Sequence, residues 1–216
     1  MLRSAVVLAA VGLAAAGDGW VQDRTGDGVT VFTKEVPGYG LKAFKAVTRV
    51  NVGVDAVAAL IGDAGSFPKW YADCSENRIL KKLGPNEYLS YFVNDSPFPV
   101  TDRDSIMHTV VAQDAQTRAV TFTMVGKPKE APENPDRVRV PRVEGRWTLL
   151  PISAEETEVT LEMKSDPGGS VPAFLANQQV TVGPHKTLLN LRKWVQKPRY
   201  KNAKVDYATV EVTYGQ

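Results

Sequence analysis

Cysteine is almost missing from this chain: Cys74 is the only one in 216 residues, so no intrachain disulfide can form. Histidine is nearly as scarce, with His108 and His185 alone. HExxH, paired cysteines and Asp/Glu/His clusters at metal-ligand spacing are all absent, which removes support for a metal site. GxSxG, P-loop and GxGxxG patterns are missing too, so nucleophile-elbow, nucleotide and dinucleotide chemistry lack a foothold. No cofactor is expected. An excess of one charge is also lacking. The 26 Lys and Arg residues against 24 Asp and Glu leave +2, too little for a field that recruits nucleic acid.

What is present begins with a leader. Met1-Leu2-Arg3 precedes the apolar run Ser4–Ala16, which ends in Ala14-Ala15-Ala16 before Gly17. A cationic start, a short apolar run and a small-residue site describe a secretory signal peptide cleaved near Ala16. The run is too short to span a bilayer, which takes roughly 20 residues. Export to the periplasm is expected, with residues 17–216 forming one domain. Hydrophobic residues make up 43% of the chain, enough to build a core without disulfide support. Cys74 reads as a small semi-buried filler, since a thiol without a well-placed histidine is a poor nucleophile.

Period-2 alternation dominates the middle of the chain. Strands are expected at Val29–Val36, Leu41–Val52, Arg78–Leu83, Glu87–Asn94, Ser105–Val111, Val120–Val125, Arg137–Leu150 and Glu156–Lys164. Asp55–Gly62 reads as a short helix, and Ser66–Tyr71 as a second helical turn capped by Ser66. Gly126–Asp136, rich in proline and charge, is a surface loop. His108 alternates with Ile106 and Val110 and reads as a packed strand histidine, while Asp102 and Asp104 around Arg103 read as turn-forming and ion-pairing residues.

The last pattern, Asp166–Tyr200, is a long amphipathic helix with Ser170 as N-cap. Val180, Pro184, Leu188, Leu191 and Val195 recur at steps of three and four and share one face. Gly183-Pro184 predicts a bend. His185 falls on the exposed side. Seven basic residues (Lys186, Arg192, Lys193, Lys197, Arg199, Lys201 and Lys204) make a cationic run that is either a solvated face or a contact for an anionic membrane. Strands joined by short connections, with helices segregated from them, give an α+β class: a curved antiparallel sheet wrapped round the last helix. Periodicity leaves open whether that helix plugs the core or roofs a cavity.

Three stretches stand in a suggestive order: Phe67-Pro68-Lys69-Trp70-Tyr71 followed by Asn77–Gly84, then Pro97–Asp104 (PFPVTDRD), then Asp166–Pro172 leading through Asn177 to Leu191-Arg192-Lys193. Together, over about Gly28–Lys197, they resemble the StAR-related lipid-transfer (START) family, in a bacterial exported form. The resemblance implies a helix-grip fold enclosing a hydrophobic tunnel that binds one lipid-like ligand, gated by the helix and nearby loops. Matched by position, the tunnel wall would comprise Tyr88, Ser90, Phe92, Met107 and Thr109 from strands, and Val180, Pro184, Leu188, Leu191 and Val195 from the helix. The positions that match the acidic and basic tunnel pair of the sterol-binding branch are Phe92 and Thr109 here, a departure that argues against a sterol-type polar anchor. Trp147 joins the wall, and Ser90, His108, Thr109 and Trp147 are candidates to orient the ligand's polar end. The Pro184 bend and the Gly126–Asp136 loop would form the gate. The expected partner is a phospholipid, acyl lipid or sterol-like molecule, bound by a monomer and moved between membranes. Two rivals stand beside this reading. A helix-grip enzyme needs acid–base groups of shifted pKa in the cavity, and a ligand-free interaction module needs a cavity filled by its own side chains.

Overall fold

The computed structural model describes residues 19–169, 171–172 and 178–216. The expected leader Met1–Ala16 and the expected N-cap Ser170 lie outside them. Two strands, β1 (Val21–Gly26) and β2 (Val29–Lys34), form a hairpin that the sequence reading only half anticipated. Its connection is Asp27-Gly28, both at positive φ (51° and 76°), the two-residue turn whose twist matches that of the flanking strands. Next comes β3 (Ala43–Val50), then α1 (Val54–Gly62), whose residues Ala56–Ile61 are all buried. A 3₁₀ turn, Ala64–Lys69, follows. Ser66 does not cap it; its hydroxyl donates to Asp63 O and accepts from Trp70 Nε1 at 3.1 Å.

The remaining strands are β4 (Cys74–Gly84), β5 (Glu87–Asn94), β6 (Arg103–Gln113), β7 (Val120–Gly126), β8 (Val138–Arg139), β9 (Arg142–Ser153) and β10 (Glu156–Asp166). The sheet runs β1-β2-β3-β10-β9-β7-β6-β5-β4, with β8 adding a short parallel bridge to the start of β6. Every other pairing is antiparallel. A large antiparallel sheet with its principal helix at the C-terminal end is the α+β, helix-grip arrangement.

The expected helix to Tyr200 is broken into pieces. A π-helical turn, Gln178–Val182, leads into α2 (Gly183–Trp194). Pro184 therefore stands in the first turn of α2, where its missing N–H leaves no bond unmade. The wide turn lies directly before it, at the point where the sequence placed a bend, and accommodates the ring. Pro198 ends the run: Lys197 is extended (φ −64°, ψ 138°), as a residue before proline prefers. The short α3 (Pro198–Lys201) follows, then a hairpin of β11 (Lys204–Asp206) and β12 (Glu211–Thr213) that the sequence reading did not foresee. Tyr207 Oη donates to Asp55 Oδ1 at 2.8 Å and Tyr200 Oη to Asp63 Oδ2 at 2.9 Å, tying this tail to α1.

The main core lies between α1, α2 and the β2–β3–β10–β9 side of the sheet. Val29, Val31, Ala46, Leu60, Leu149, Leu161, Leu188, Leu191 and Val195 are all completely buried there.

Candidate functional site

On the β5–β6–β7 side of the same sheet lies a partly open cavity of about 160 Å³. Alternation aims its wall. Along β5 the even residues Tyr88, Ser90 and Phe92 face inward, while Leu89, Tyr91 and Val93 pack with Ile106 on the opposite face. Register carries the wall onward. Tyr88, Ser90 and Phe92 pair with Thr109, Met107 and Ser105 of β6, and Thr109 pairs with Met124 of β7. Phe122 of β7 then pairs with Trp147 of β9.

Met107, Met124 and Met163, the three methionines beyond Met1, all line this space. Gly145 of β9 stands between Met124 of β7 and Met163 of β10 in register. A Cβ on Gly145 would lie 3.1 Å from Met124 Cε and 3.2 Å from Met163 Cε, so the bare glycine is what lets both thioethers lie across the sheet. On the far side Leu41, Ile61, Phe67, Tyr71 and Val140 close the cavity. Phe67 and Tyr71 stack at 5.4 Å, and Tyr71 meets Phe92 edge-on at 5.4 Å and Trp147 at 6.5 Å. Such edge-to-face pairs hold rings in fixed orientations and leave a smooth apolar wall.

Charge is scarce inside. Among the described lining residues only Arg103 carries one. It is buried at the start of β6, where its guanidinium donates to Thr101 O and, at 3.4 Å, to Gly168 O, joining β6 to the turn after β10. Burial lowers its pKa from the usual arginine value, against the pull of the Asp102 carboxylate. Burial also pushes the Tyr88 phenol up to about 12, its hydrogen bond with Thr109 working the other way. The Tyr71 phenol is raised too, first by burial and then by neighbouring Cys74 and Asp73. Both phenols stay protonated at any ordinary pH.

Of the residues expected to form the wall, Tyr88, Ser90, Phe92, Met107, Thr109 and Trp147 are brought together around the cavity. Val180, Pro184, Leu188, Leu191 and Val195 are not. They share a buried face, as their spacing predicted, but that face presses into the core beside β2 and β3. His185 is also buried rather than exposed; its Nε2 lies 3.1 Å from Gly26 O. His108 points away from the cavity and meets Glu87 Oε1 at 2.5 Å on the outer face, so it cannot orient a ligand inside. The 126–136 loop is on that outer face as well. Asp104 and Arg139 pin it there through a buried ion pair of 2.6 Å, with Arg139 Nη1 donating to Pro128 O and Ala131 O. The loop therefore covers the back of the sheet and is no gate to the cavity. Residues missed by sequence reasoning are Arg103, Asn77, Tyr71, Met124 and Met163. The period-2 frame of β6 carried the signal for Arg103, which shares the parity of Met107 and Thr109, whereas Met124 joins that face through its register with Thr109.

A START domain family model matches residues 8–202. An uncharacterised protein of Pseudomonas aeruginosa is 35% identical over 200 residues, covering 91% of this chain and 98% of that protein. Among solved structures, the STAR-related lipid transfer protein of Xanthomonas axonopodis is 34% identical with a TM-score of 0.76, covering 83% of this chain and 100% of that one. Human StAR-related lipid transfer protein 5, at 16% identity, shares the fold with a TM-score of 0.77, over 85% of this chain and 89% of its own. With the helix-grip sheet, the apolar cavity and these matches in hand, the chain belongs to the START domain family.

Proposed function

We propose that this protein binds one hydrophobic, lipid-like molecule in the cavity and carries it between membranes. It would act as an exported, periplasmic monomer whose leader is removed near Ala16. The observation that carries this reading is the wall itself: methionine, aromatic and aliphatic groups around a concave space, in a member of a family whose Xanthomonas relative is named a lipid transfer protein. Binding there is desolvation, worth about 25 cal/mol for each Å² of apolar ligand surface removed from water. Size sets a limit. A cavity of about 160 Å³ is close to the roughly 150 Å³ of an engineered protein cavity that accepts benzene. It holds one ring or a length of acyl chain.

Transfer requires a place to meet the bilayer, and the loop between β5 and β6 supplies it. Phe98 is 98% exposed, while its neighbours Ser96, Pro97 and Val100 line the cavity. The loop is braced by Ser96 N donating to Asp102 Oδ1 and Val100 N to Pro97 O, so the ring is held out rather than left loose. One aromatic between two prolines is far below the roughly 1,000 Å² that a specific protein interface needs, yet it suits the membrane–water boundary. The basic run is a weaker docking element than its sequence suggested. Arg192 is bound to Asp27 O, Arg199 to Asp63, and Lys197 lies over the Trp194 ring.

A carrier fits the cavity better than a catalyst, since acid–base catalysis wants a group poised near ambient pH and the described wall offers only protonated phenols and Arg103. Mass spectrometry of organic extracts from protein purified out of the periplasm should find a hydrophobic species at near-equal stoichiometry. An empty extract, together with no transfer of a fluorescent acyl lipid between vesicles, would overturn the proposal.

A further inference from the structure

Asn77 stands on β4 opposite Phe92, and its side chain lines the cavity. Its Oδ1 is closed to solvent and has no hydrogen-bond partner among the described residues. Buried amide oxygens are nearly always bonded, because nothing else returns the hydration they lost. The residues sharing its face are polar as well. Ser90 and Asn94 flank Phe92 along β5, and Ser105 pairs with Phe92 from β6. Asn94 is already engaged, its Nδ2 donating to Asp73 O at 2.8 Å. Asn77 is thus the amide left over, set beside the Tyr71–Phe92 ring pair at the polar end of the wall.

Resting on the lipid-binding reading above, we infer that Asn77 anchors the polar end of the ligand and that this end is a neutral hydroxyl. An amide has one accepting and one donating edge of nearly equal shape, and a hydroxyl, which both donates and accepts, serves either orientation. A carboxylate offers acceptors alone and leaves Oδ1 unserved, and the Arg103 guanidinium that would attract it already donates through Nη1 and Nη2 to Thr101 O and Gly168 O. An ammonium group would serve Oδ1 but would share a small, dry space with the Arg103 guanidinium.

The test uses three probes scaled to the cavity: 1-octanol, octane and octanoate, titrated calorimetrically against the full chain and Asn77→Leu. In the unaltered protein 1-octanol binds more tightly than octanoate. In Asn77→Leu the ratio of octanol to octane affinity falls at least tenfold, and an unchanged circular dichroism spectrum with a cooperative thermal transition certifies the fold. Asn77→Ser, which keeps a hydroxyl, recovers part of the ratio and stands in should the leucine variant fail to fold. An unchanged octanol-to-octane ratio in both variants, with octane still bound, overturns the anchor and leaves the cavity reading standing. If none of the three probes binds the unaltered protein, the binding reading itself falls and the anchor with it.

Discussion

Replacing Leu188 by alanine separates two roles that helix periodicity alone confuses. Leu188 is completely buried in α2, among core residues and away from the cavity wall. Truncation removes the equivalent of about three methylenes, near 0.8 kcal/mol each, and leaves a hole that packed neighbours fill only in part. The total is about 3–5 kcal/mol. For a domain of this length each kcal/mol lowers Tm by about 2–4 °C, so a fall of roughly 6–20 °C is expected by scanning calorimetry. Octane affinity, measured well below the new Tm, should be unchanged. Ser90→Leu provides the opposite case, because Ser90 faces the empty space. It should cut octane affinity at least tenfold with Tm moving only a few degrees. Loss of ligand affinity in Leu188→Ala with Tm preserved would refute the placement of α2 in the core.

Three other outcomes follow from the same contacts. Burial raises the Asp104 pKa, but hydrogen bonds from Arg139 and Tyr91, and the charges of Arg139 and Arg137, more than offset this and hold it below its ordinary value. Its stabilisation is therefore full above about pH 4, the unfolded carboxylate range, and is lost as pH falls through the lower folded value. Asp104→Asn should cost about 3–5 kcal/mol in urea unfolding at pH 7, and the gap from wild type should narrow as the pH is lowered below the unfolded carboxylate range; a gap that does not change with pH refutes the assignment. Burial pushes the Cys74 thiol up to about 12, a backbone hydrogen bond with Glu76 working the other way. At pH 8 only about one thiol in ten thousand is then ionised, so a disulfide reagent should label the native chain over hours and the guanidinium-unfolded chain within minutes. Comparable rates in both would mean that the thiol is open. Phe98→Ser should leave Tm within about 1 °C, since the ring touches almost nothing, yet slow transfer between vesicles several-fold; unaltered transfer would place membrane contact elsewhere.

Much of the site was legible because a strand has only two faces. Once Phe92 is assigned inward, Tyr88 and Ser90 must follow, and register extends the same face to Met107 and Thr109. A helix stripe is less informative. The spacing of Leu188, Leu191 and Val195 says which residues face together, but not which half of a long sheet they cover, and here they cover β2 and β3. His185 and the 126–136 loop were misread for a related reason. Their surroundings are set by partners more than 30 residues away in sequence, such as Gly26 for the histidine and Asp104 for Arg139 at the loop's edge. No local pattern encodes such pairings. Pro184 was correctly seen as a disturbance, but its remedy, a π-helical turn just before it, lies in backbone geometry that residue types do not announce.

The three thioethers of the wall, two of which meet across Gly145, make the interior soft. Unbranched and polarisable, they can shift among conformers of similar energy, so guests of different girth should be accepted with nearly the same strength. The same sulfurs are open to oxidants. Sulfoxides on Met107, Met124 and Met163 would turn an oily lining wet and strip it of its appetite for grease, until a reductase reversed the change.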